Sequence, residues 1–286
     1  MSWHSFKHEA MATYFEVAIA EAAPDYAAKA AAAIFREIDR LERELSRFVP
    51  MSDIARINRL AAGESTVVSE DAFECLLLAA DAFLATEGAF NAAYASESET
   101  AAARGPNEIP FLLEPTTHSV TSRVPRLQLD LGAIGKGYAL DRGADVLIEW
   151  QLPSACLVAG GSTVLALNPP PALEGWNIGV GDAPHVRQIA LRNMAVSASG
   201  TAVQGQHIVD PRSGAAAQRK ERAWALASSG AQSDALSTAF FVMSDAEIEF
   251  FCREHPQVGA AVTSPDGTLR VFGAMRAGRS SPPSAR

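Results

Sequence analysis

Near the middle of the chain, the hydrophobic pattern changes from the period of a strand to that of a helix. The segment 127–131 (LQLDL) alternates leucine with polar residues, which predicts a β-strand. The segment 132–137 (GAIGKG) is rich in glycine, and hydrophobic residues then recur at helical spacing from Leu140 to Ile148. We therefore predict a strand, a glycine-rich turn and the N-terminus of a helix. Free backbone N–H groups and the helix dipole make such a turn a favourable place for an anion.

The glycine-rich turn lacks the two familiar phosphate-binding patterns. A Walker loop requires glycine at position 130 and serine or threonine at position 137, whereas this chain has Asp130 and Gly137 there. The turn contains no G-x-G-x-x-G pattern either. A plain strand-to-helix turn without a ligand therefore stays open as an alternative at this point.

Upstream of the turn, the pattern predicts a strand, two helices and a less regular stretch that ends in a short strand. Aromatic and β-branched residues predict a strand over residues 13–19. Hydrophobic residues at 34, 38, 41 and 45 predict a helix. Ser69 is the expected N-cap of a second helix, with hydrophobic residues at 73, 76, 77, 80, 83 and 84 and Gly88 at its end. For residues 95–125 we expect a surface excursion that leads to a short strand before Val124.

Short strands dominate the prediction after the central helix. We predict strands at 155–159, 176–180, 194–197 and 223–227, and a hairpin in which residues 258–263 and 269–272 flank the turn sequence SPDG. Ser233 is expected to cap one helix, and Ser244 and Glu247 form a capping box for the next. Helices packed against a mixed or antiparallel sheet belong to the α+β class. We expect one domain over residues 1–273, or two closely packed subdomains, and a frayed tail over 274–286.

The composition argues against several classes of partner. The chain has 286 residues, of which 48% are hydrophobic and 20% charged, as in ordinary globular proteins. A formal net charge of −9 argues against nucleic acid or an anionic membrane surface as a partner. No hydrophobic run approaches the roughly 20 residues of a membrane span, and no basic segment with a following apolar core opens the chain. We therefore expect a cytoplasmic protein without membrane insertion, whose cysteines at 75, 156 and 252 are buried and reduced.

Asp234 and Thr238 are four positions apart on a predicted helix, so they share one face of it. A carboxylate and a hydroxyl in that arrangement are hard oxygen ligands that suit Mg²⁺, which commonly takes one or two protein carboxylates together with substrate phosphates. The alternative is purely structural: Asp234 complements the helix dipole and Thr238 packs against its neighbours. Such spacings are common, so the pair by itself favours the structural interpretation.

His207 and Arg212 lie in the sequence GQHIVDPRSG. A histidine beside a predicted strand is more often a structural residue than a catalyst. Turn-forming residues can nevertheless hold His207 at a sheet edge, where it is a candidate general base. Arg212 is a candidate partner for a phosphate group or a solvated surface residue.

The motifs taken together resemble the ApbE-like flavin transferases, which are FAD:protein FMN transferases with a T-fold-related α+β architecture. They occur in the order of that family and cover nearly the whole chain: MAT at 11–13, LSRFVPMSDIARIN at 45–58, GAF at 88–90, LDLGAIGKGYALD at 129–141, GGS at 160–162, SASG at 197–200, HIVDPRSG at 207–214 and SDALST at 233–238. Two positions depart from the family pattern, because Asn91 stands where aspartate is usual and Ala12 where glycine is usual.

The resemblance implies Mg²⁺-dependent transfer of FMN from FAD to a threonine or serine hydroxyl of an acceptor protein, with release of AMP. It implies metal ligands at the backbone carbonyl of Ala133, at Asp234 and at Thr238, with Ser237 as a further oxygen. Residues implied to contact FAD or line its ring sites are Met11, Phe48, Ala89, Phe90, Asn91, Asp130, Lys136 and Ile208. In the mechanism we expect, Lys136 counters phosphate charge and His207, or a water held by the metal, accepts the proton of the attacking hydroxyl.

Two other functions would use the same pocket. In an FAD pyrophosphatase, water would replace the acceptor hydroxyl and the products would be FMN and AMP. A flavin-binding protein would keep FAD intact. The sequence alone does not separate these three functions, since each needs the same FAD site.

Overall fold

Helices pack against a central antiparallel sheet in the computed structural model, which describes residues 3–96, 108–183, 185–200, 209–215, 217 and 220–276. Its strands are β1 Trp3–Ala10, β2 Thr13–Ala20, β3 Ser65–Val67, β4 Phe111–Glu114, β5 Ser119–Ser122, β6 Ala155–Ala159, β7 Thr163–Ala166, β8 Trp176–Val180, β9 Arg187–Leu191, β10 Met194–Gly200, β11 Arg222–Ala227, β12 Gly259–Thr263 and β13 Leu269–Gly273. Its helices are α1 Pro24–Leu45, α2 Asp53–Ile57, α3 Glu70–Ala85, α4 Gly135–Glu149, α5 Gly230–Val242 and α6 Asp245–Glu254, and a 3-10 turn follows at Ala274–Arg276. This mixture confirms the predicted α+β class, while the division into domains stays a prediction.

The main sheet has eight strands in the order β1-β2-β6-β7-β10-β11-β12-β13, and each neighbouring pair is antiparallel. Its two faces pack against different layers. Along β11, Ala223 and Ala227 join the core formed with α1, α4 and α5, whereas Trp224 and Leu226 join a second core with Trp176 of β8. The small residues on the helix side let α5 lie close to the sheet.

The prediction of a strand over residues 127–131 is wrong, although every second residue of this segment is buried. Leu127, Leu129 and Leu131 are buried, yet the segment pairs with no strand among the described residues. The backbone N–H of Leu129 donates to Asn58 Oδ1 at 2.7 Å, and the Leu129 carbonyl accepts from Asn58 Nδ2 at 2.9 Å. An extended segment whose polar groups are satisfied by a side chain needs no neighbouring strand.

The start of α5 also differs from the prediction. Its N-cap is Ser229, one turn before the predicted Ser233, and Ser229 Oγ accepts from the backbone N–H of Gln232. Ser233 lies inside the helix, where it is buried. The caps predicted elsewhere are confirmed: Ser69 caps α3, and Ser244 forms the capping box of α6.

Three residues of the predicted hydrophobic stripes face outward: Leu77, Leu84 and Ile148 are exposed. A helix that packs on one side buries a narrower strip than its run of apolar residues suggests. Among the described residues, no helix is long and apolar enough to cross a membrane. The three cysteines are buried free thiols, as predicted, and burial raises the pKa of Cys156 and of Cys252 to about 12.

Candidate functional site

Helices α4 and α5 begin side by side because two glycines touch there. A Cβ atom added to Gly137 would lie 2.0 Å from the Gly230 carbonyl oxygen, and one added to Gly230 would lie 2.3 Å from the Gly137 carbonyl oxygen. Both distances are far below van der Waals contact. Glycine is therefore required at both positions for the two helix N-termini to approach this closely.

Asp141 joins the same two helices through hydrogen bonds. Its Oδ1 accepts from the backbone N–H of Gly230 at 2.7 Å, and its Oδ2 accepts from that of Ala231 at 2.8 Å. These N–H groups belong to the first turn of α5 and have no partner within the helix. Burial raises the pKa of the Asp141 carboxyl group to about 6, against the opposing effect of these two bonds.

The pH dependence of stability is expected to show this perturbed carboxyl group. Its ordinary pKa is 3.8, so the native state holds the Asp141 proton more tightly than the unfolded chain does. The resulting stabilisation is complete below that pH and is lost as the pH rises through about 6. From about pH 4 to pH 7, wild type should therefore lose at most about 3 kcal/mol of unfolding free energy relative to Asp141→Asn. Urea denaturation at a series of pH values measures the difference, and a difference independent of pH would contradict the assignment.

Asp234 is buried at the contact between the two helices. Its Oδ2 accepts from the backbone N–H of Gly137 at 3.2 Å and lies 3.5 Å from Lys136 Nζ. The Lys136 ammonium group also donates to the carbonyl of Gly132 at 2.6 Å. On the other side, Thr163 Oγ1 of β7 donates to Asp234 Oδ1 at 3.4 Å. The structure thus brings the predicted residues Asp234 and Lys136 together with the glycine-rich turn.

A cluster of hydroxyl groups adjoins Asp234 on α5. Ser199 Oγ of β10 lies 2.8 Å from Ser237 Oγ and 3.0 Å from Thr238 Oγ1, and Ser237 Oγ donates to the Asp234 carbonyl at 2.9 Å. Within the described ranges, no three residues among His, Cys, Asp and Glu are grouped so as to hold a metal ion. One carboxylate with neutral oxygens suits a hard cation such as Mg²⁺ that takes its remaining ligands from a phosphate substrate and water.

Asp130, the predicted FAD contact at the start of the turn, forms an ion pair. Its Oδ2 lies 2.9 Å from Arg47 Nε, and its Oδ1 accepts from the backbone N–H of Gly132 at 2.8 Å. The Arg47 guanidinium group sits over the ring of Phe48, 4.3 Å from its centre. Phe48 is 78% exposed, so its ring is available at the surface beside the turn rather than inside a closed pocket.

Three of the predicted ring-site residues follow one another shortly after α3. Ala89 and Phe90 are buried after α3, where Thr86 Oγ1 accepts from the backbone N–H of Phe90 at 3.0 Å. Asn91 Oδ1 accepts from the N–H of Ala93 at 2.8 Å. This segment is tied to the turn because the N–H of residue 130 donates to the carbonyl of residue 92 at 2.8 Å.

Met11 lies in the β1–β2 turn with a positive φ of 50°, and its side chain packs against the main core. Ala133 belongs to the glycine-rich turn itself and is partly buried. His207 and Ile208 lie outside the described residues. In the turn that follows them, Arg212 pairs with Asp210 at 2.9 Å and with Glu247 at 2.6 Å. Arg212 is an exposed residue whose guanidinium group is engaged in these two ion pairs.

Sequence reasoning missed four residues of the site: Arg47, Asp141, Thr163 and Ser199. Three of them lie inside recognised motifs, and Thr163 directly follows the GGS motif. Their positions in or beside these motifs are the sequence signal that could have marked them as site residues. Their contacts join distant parts of the chain, so no local pattern could assign a role to each side chain.

Comparison with known proteins identifies the family. The model of the ApbE family matches residues 11–262. The chain belongs to the ApbE family. This confirms the resemblance carried by the motifs, and the matched range includes the turn, Lys136, Asp234 and Thr238.

Relatives of this ApbE-family chain include two curated proteins named FAD:protein FMN transferase. The protein of Klebsiella pneumoniae (strain 342) is 30% identical over 216 residues, which cover 64% of this chain and 66% of the relative. The protein of Treponema pallidum (strain Nichols) is 30% identical over 177 residues, which cover 54% of this chain and 48% of the relative. The matched parts thus span about two thirds and about half of the lengths of these relatives.

Solved structures of the family share the fold. The crystal structure of the ApbE protein from Thermotoga maritima has a TM-score of 0.81 and 22% identity, covering 96% of this chain and 99% of that one. The flavin transferase ApbE from Vibrio cholerae has a TM-score of 0.80 and 18% identity, with 96% and 99% coverage. At these identities the likeness establishes the architecture.

Proposed function

We propose that this ApbE-family protein transfers FMN from FAD to a threonine or serine hydroxyl of an acceptor protein and releases AMP. The observation that carries the proposal is the convergence of one buried carboxylate, one ammonium group and a set of hydroxyls at the N-terminus of α4. Asp234, Lys136 and Thr238 supply these groups. The curated relatives named FAD:protein FMN transferase support the same activity.

The proposed magnesium ligands are Asp234, Thr238 and the backbone carbonyl of Ala133, with Ser237 as a further oxygen. The donor chemistry fits: the hydrogen bonds that the Asp234 carboxylate accepts from described residues are long, at 3.2 and 3.4 Å, and the neighbouring hydroxyl oxygens are hard donors. When bound, the metal would supply positive charge that neutralises the pyrophosphate of FAD.

FAD is proposed to lie across the glycine-rich turn. Lys136 is expected to exchange its contact with Asp234 for a phosphate oxygen, since an ammonium group at a helix N-terminus adds to the positive field there. Asp130 is proposed to contact FAD after its ion pair with Arg47 opens or shifts. The proposed ring contacts are Met11, Phe48, Ala89, Phe90, Asn91 and Ile208.

The proposed reaction is one displacement at the FMN phosphorus. The acceptor oxygen forms a bond to that phosphorus while the bond to the AMP oxygen breaks, so AMP leaves with the electron pair. We propose that His207 accepts the hydroxyl proton. Lys136 stabilises the charge that develops on the phosphate oxygens, and the dipole of α4 adds to this effect. Positioning and charge stabilisation supply most of the catalysis in such transfers.

An assay of AMP release tests the proposed activity. The full chain is incubated with FAD and Mg²⁺, with and without a candidate acceptor protein, and AMP, free FMN and protein-bound FMN are measured. We expect AMP to rise with the acceptor present and to equal the covalently bound FMN. Equal amounts of AMP and free FMN without acceptor would instead show a pyrophosphatase. No AMP under either condition, with FAD still bound, would show a flavin-binding protein.

A further inference from the structure

Both ends of α5 receive charged side chains from outside the helix. At its N-terminus, the Asp141 carboxylate accepts from the N–H groups of Gly230 and Ala231. At its C-terminus, the buried Lys220 ammonium group donates to the carbonyl of Phe240 at 2.8 Å and to that of Met243. Each charge has the sign that the helix dipole favours. The helix that carries the proposed metal ligands is therefore fixed electrostatically at both ends.

The contact at the N-terminus lies one turn from the proposed ligand Asp234 and two turns from Thr238. Gly230 and Ala231 precede Asp234 by four and three positions, so the turn that Asp141 binds lies on the same face of the helix, on the N-terminal side of Asp234. On α4, Asp141 follows Gly137 by one turn, and Gly137 donates its N–H to Asp234. The Asp141 side chain thus connects α5, which carries Asp234, to α4, whose Gly137 N–H group binds Asp234.

Asp141 does more than an ordinary helix cap requires. Ser229 already caps α5 locally, through its bond from the N–H of Gln232. A local cap stabilises a helix but does not set its distance from another helix. The contact of Gly137 with Gly230 stops α5 from moving closer to α4. The two bonds of Asp141 oppose its separation, so the two features together define the spacing.

We propose that Asp141 is a positioning residue of the metal site, which holds α5 against α4 at the spacing that lets Asp234 and Thr238 bind Mg²⁺ beside Lys136. This inference rests on the magnesium site proposed above. Asp141 would not touch the metal or FAD. It acts through the backbone of Gly230 and Ala231, as groups behind metal ligands commonly do.

Two variants of the full chain test the inference. Asp141→Asn keeps the size of the side chain but has one acceptor oxygen where two are needed, so one N–H bond is lost. Ser69→Ala is the matched control, because it removes a cap from α3, a helix that carries none of the proposed ligands. Mg²⁺ alone is titrated while the melting temperature is recorded, and turnover of FAD is then measured across the same range of Mg²⁺ concentration.

We expect Asp141→Asn to need about tenfold more Mg²⁺, or more, for half of the thermal shift and for half of the maximal rate. The rate at saturating Mg²⁺ should fall much less, because Asp234, Thr238 and Lys136 are all present. Ser69→Ala should melt earlier and keep the wild-type Mg²⁺ dependence. If Asp141→Asn does not fold, Asp141→Glu serves instead, since it keeps the charge and moves it, and a rise in the Mg²⁺ requirement is again expected.

The outcomes separate this inference from the proposed function. An unchanged Mg²⁺ requirement in a folded Asp141 variant would overturn the positioning role and leave the metal site intact. An equal change in Ser69→Ala would show that loss of stability alone accounts for the effect, which also overturns it. A wild-type protein that neither gains stability from Mg²⁺ nor needs it for turnover would overturn both the metal site and the inference.

Discussion

Replacement of Asp234 by asparagine is expected to lower AMP release from FAD by about 10³-fold or more and to remove the stabilisation by Mg²⁺. Asp234 is the single carboxylate among the proposed ligands, and its charge also faces Lys136 at 3.5 Å. Loss of about 4 kcal/mol of transition-state stabilisation gives a rate effect of this size. The asparagine side chain is nearly isosteric, and its carbonyl oxygen can still accept from the N–H of Gly137.

The control for this substitution is Asp245→Asn on α6. Asp245 is a partly exposed carboxylate that pairs with Arg270, and its loss should leave both AMP release and the Mg²⁺-dependent melting shift unchanged. AMP release is followed by chromatography and melting by calorimetry. Wild-type AMP release by a folded Asp234→Asn protein would remove the metal assignment.

Replacement of Gly137 by alanine is expected to unfold the protein or to lower its free energy of unfolding by about 3 kcal/mol or more. The added Cβ would lie 2.0 Å from the Gly230 carbonyl oxygen and 2.7 Å from the Ala231 nitrogen, both of which are backbone atoms. Backbone atoms of a helix start cannot swing aside as a side chain can. The two helices would have to separate, which would break the bonds of Asp141 and expose the main core.

Gly135→Ala is the matched control, only two residues away on the same helix. A Cβ atom there would meet its nearest neighbour, Leu131 Cβ, at an ordinary 3.8 Å. This variant should be as stable as wild type or gain up to about 1 kcal/mol, because alanine loses less conformational entropy than glycine. Urea denaturation measures both variants. Equal stability of Gly137→Ala and Gly135→Ala would show that α4 and α5 are not in glycine contact.

The fold can be predicted where a pattern is local. The period of the hydrophobic residues locates most strands and helices, and the serines at 69 and 244 mark two helix starts. The prediction of a strand at 127–131 is wrong because alternating burial does not show what the backbone binds. Here the partner is the side chain of Asn58, which lies 71 positions from Leu129. Ser233 has the sequence features of a cap because it precedes much the same apolar run as Ser229 does.

The site can be predicted in part for the same reason. The spacing of Asp234 and Thr238 places both on one helix face, but it favours a structural role by itself, and the ligand role is implied by the family resemblance. The Ser199 hydroxyl and the Arg47 guanidinium group could not be assigned, because their positions depend on strand order and on packing between distant segments. The role of Asp141 depends on the distance between two helices, which no sequence pattern encodes.

The most direct test of the central claim is a crystal structure of the full chain with FAD and Mn²⁺, which replaces Mg²⁺ and gives an anomalous signal. We predict one strong anomalous peak within about 2.2 Å of an Asp234 carboxylate oxygen, with Thr238 Oγ1, the Ala133 carbonyl and pyrophosphate oxygens completing the coordination. An FAD complex whose manganese peak lies away from Asp234, or whose pyrophosphate lies away from the 132–137 turn, would contradict the account.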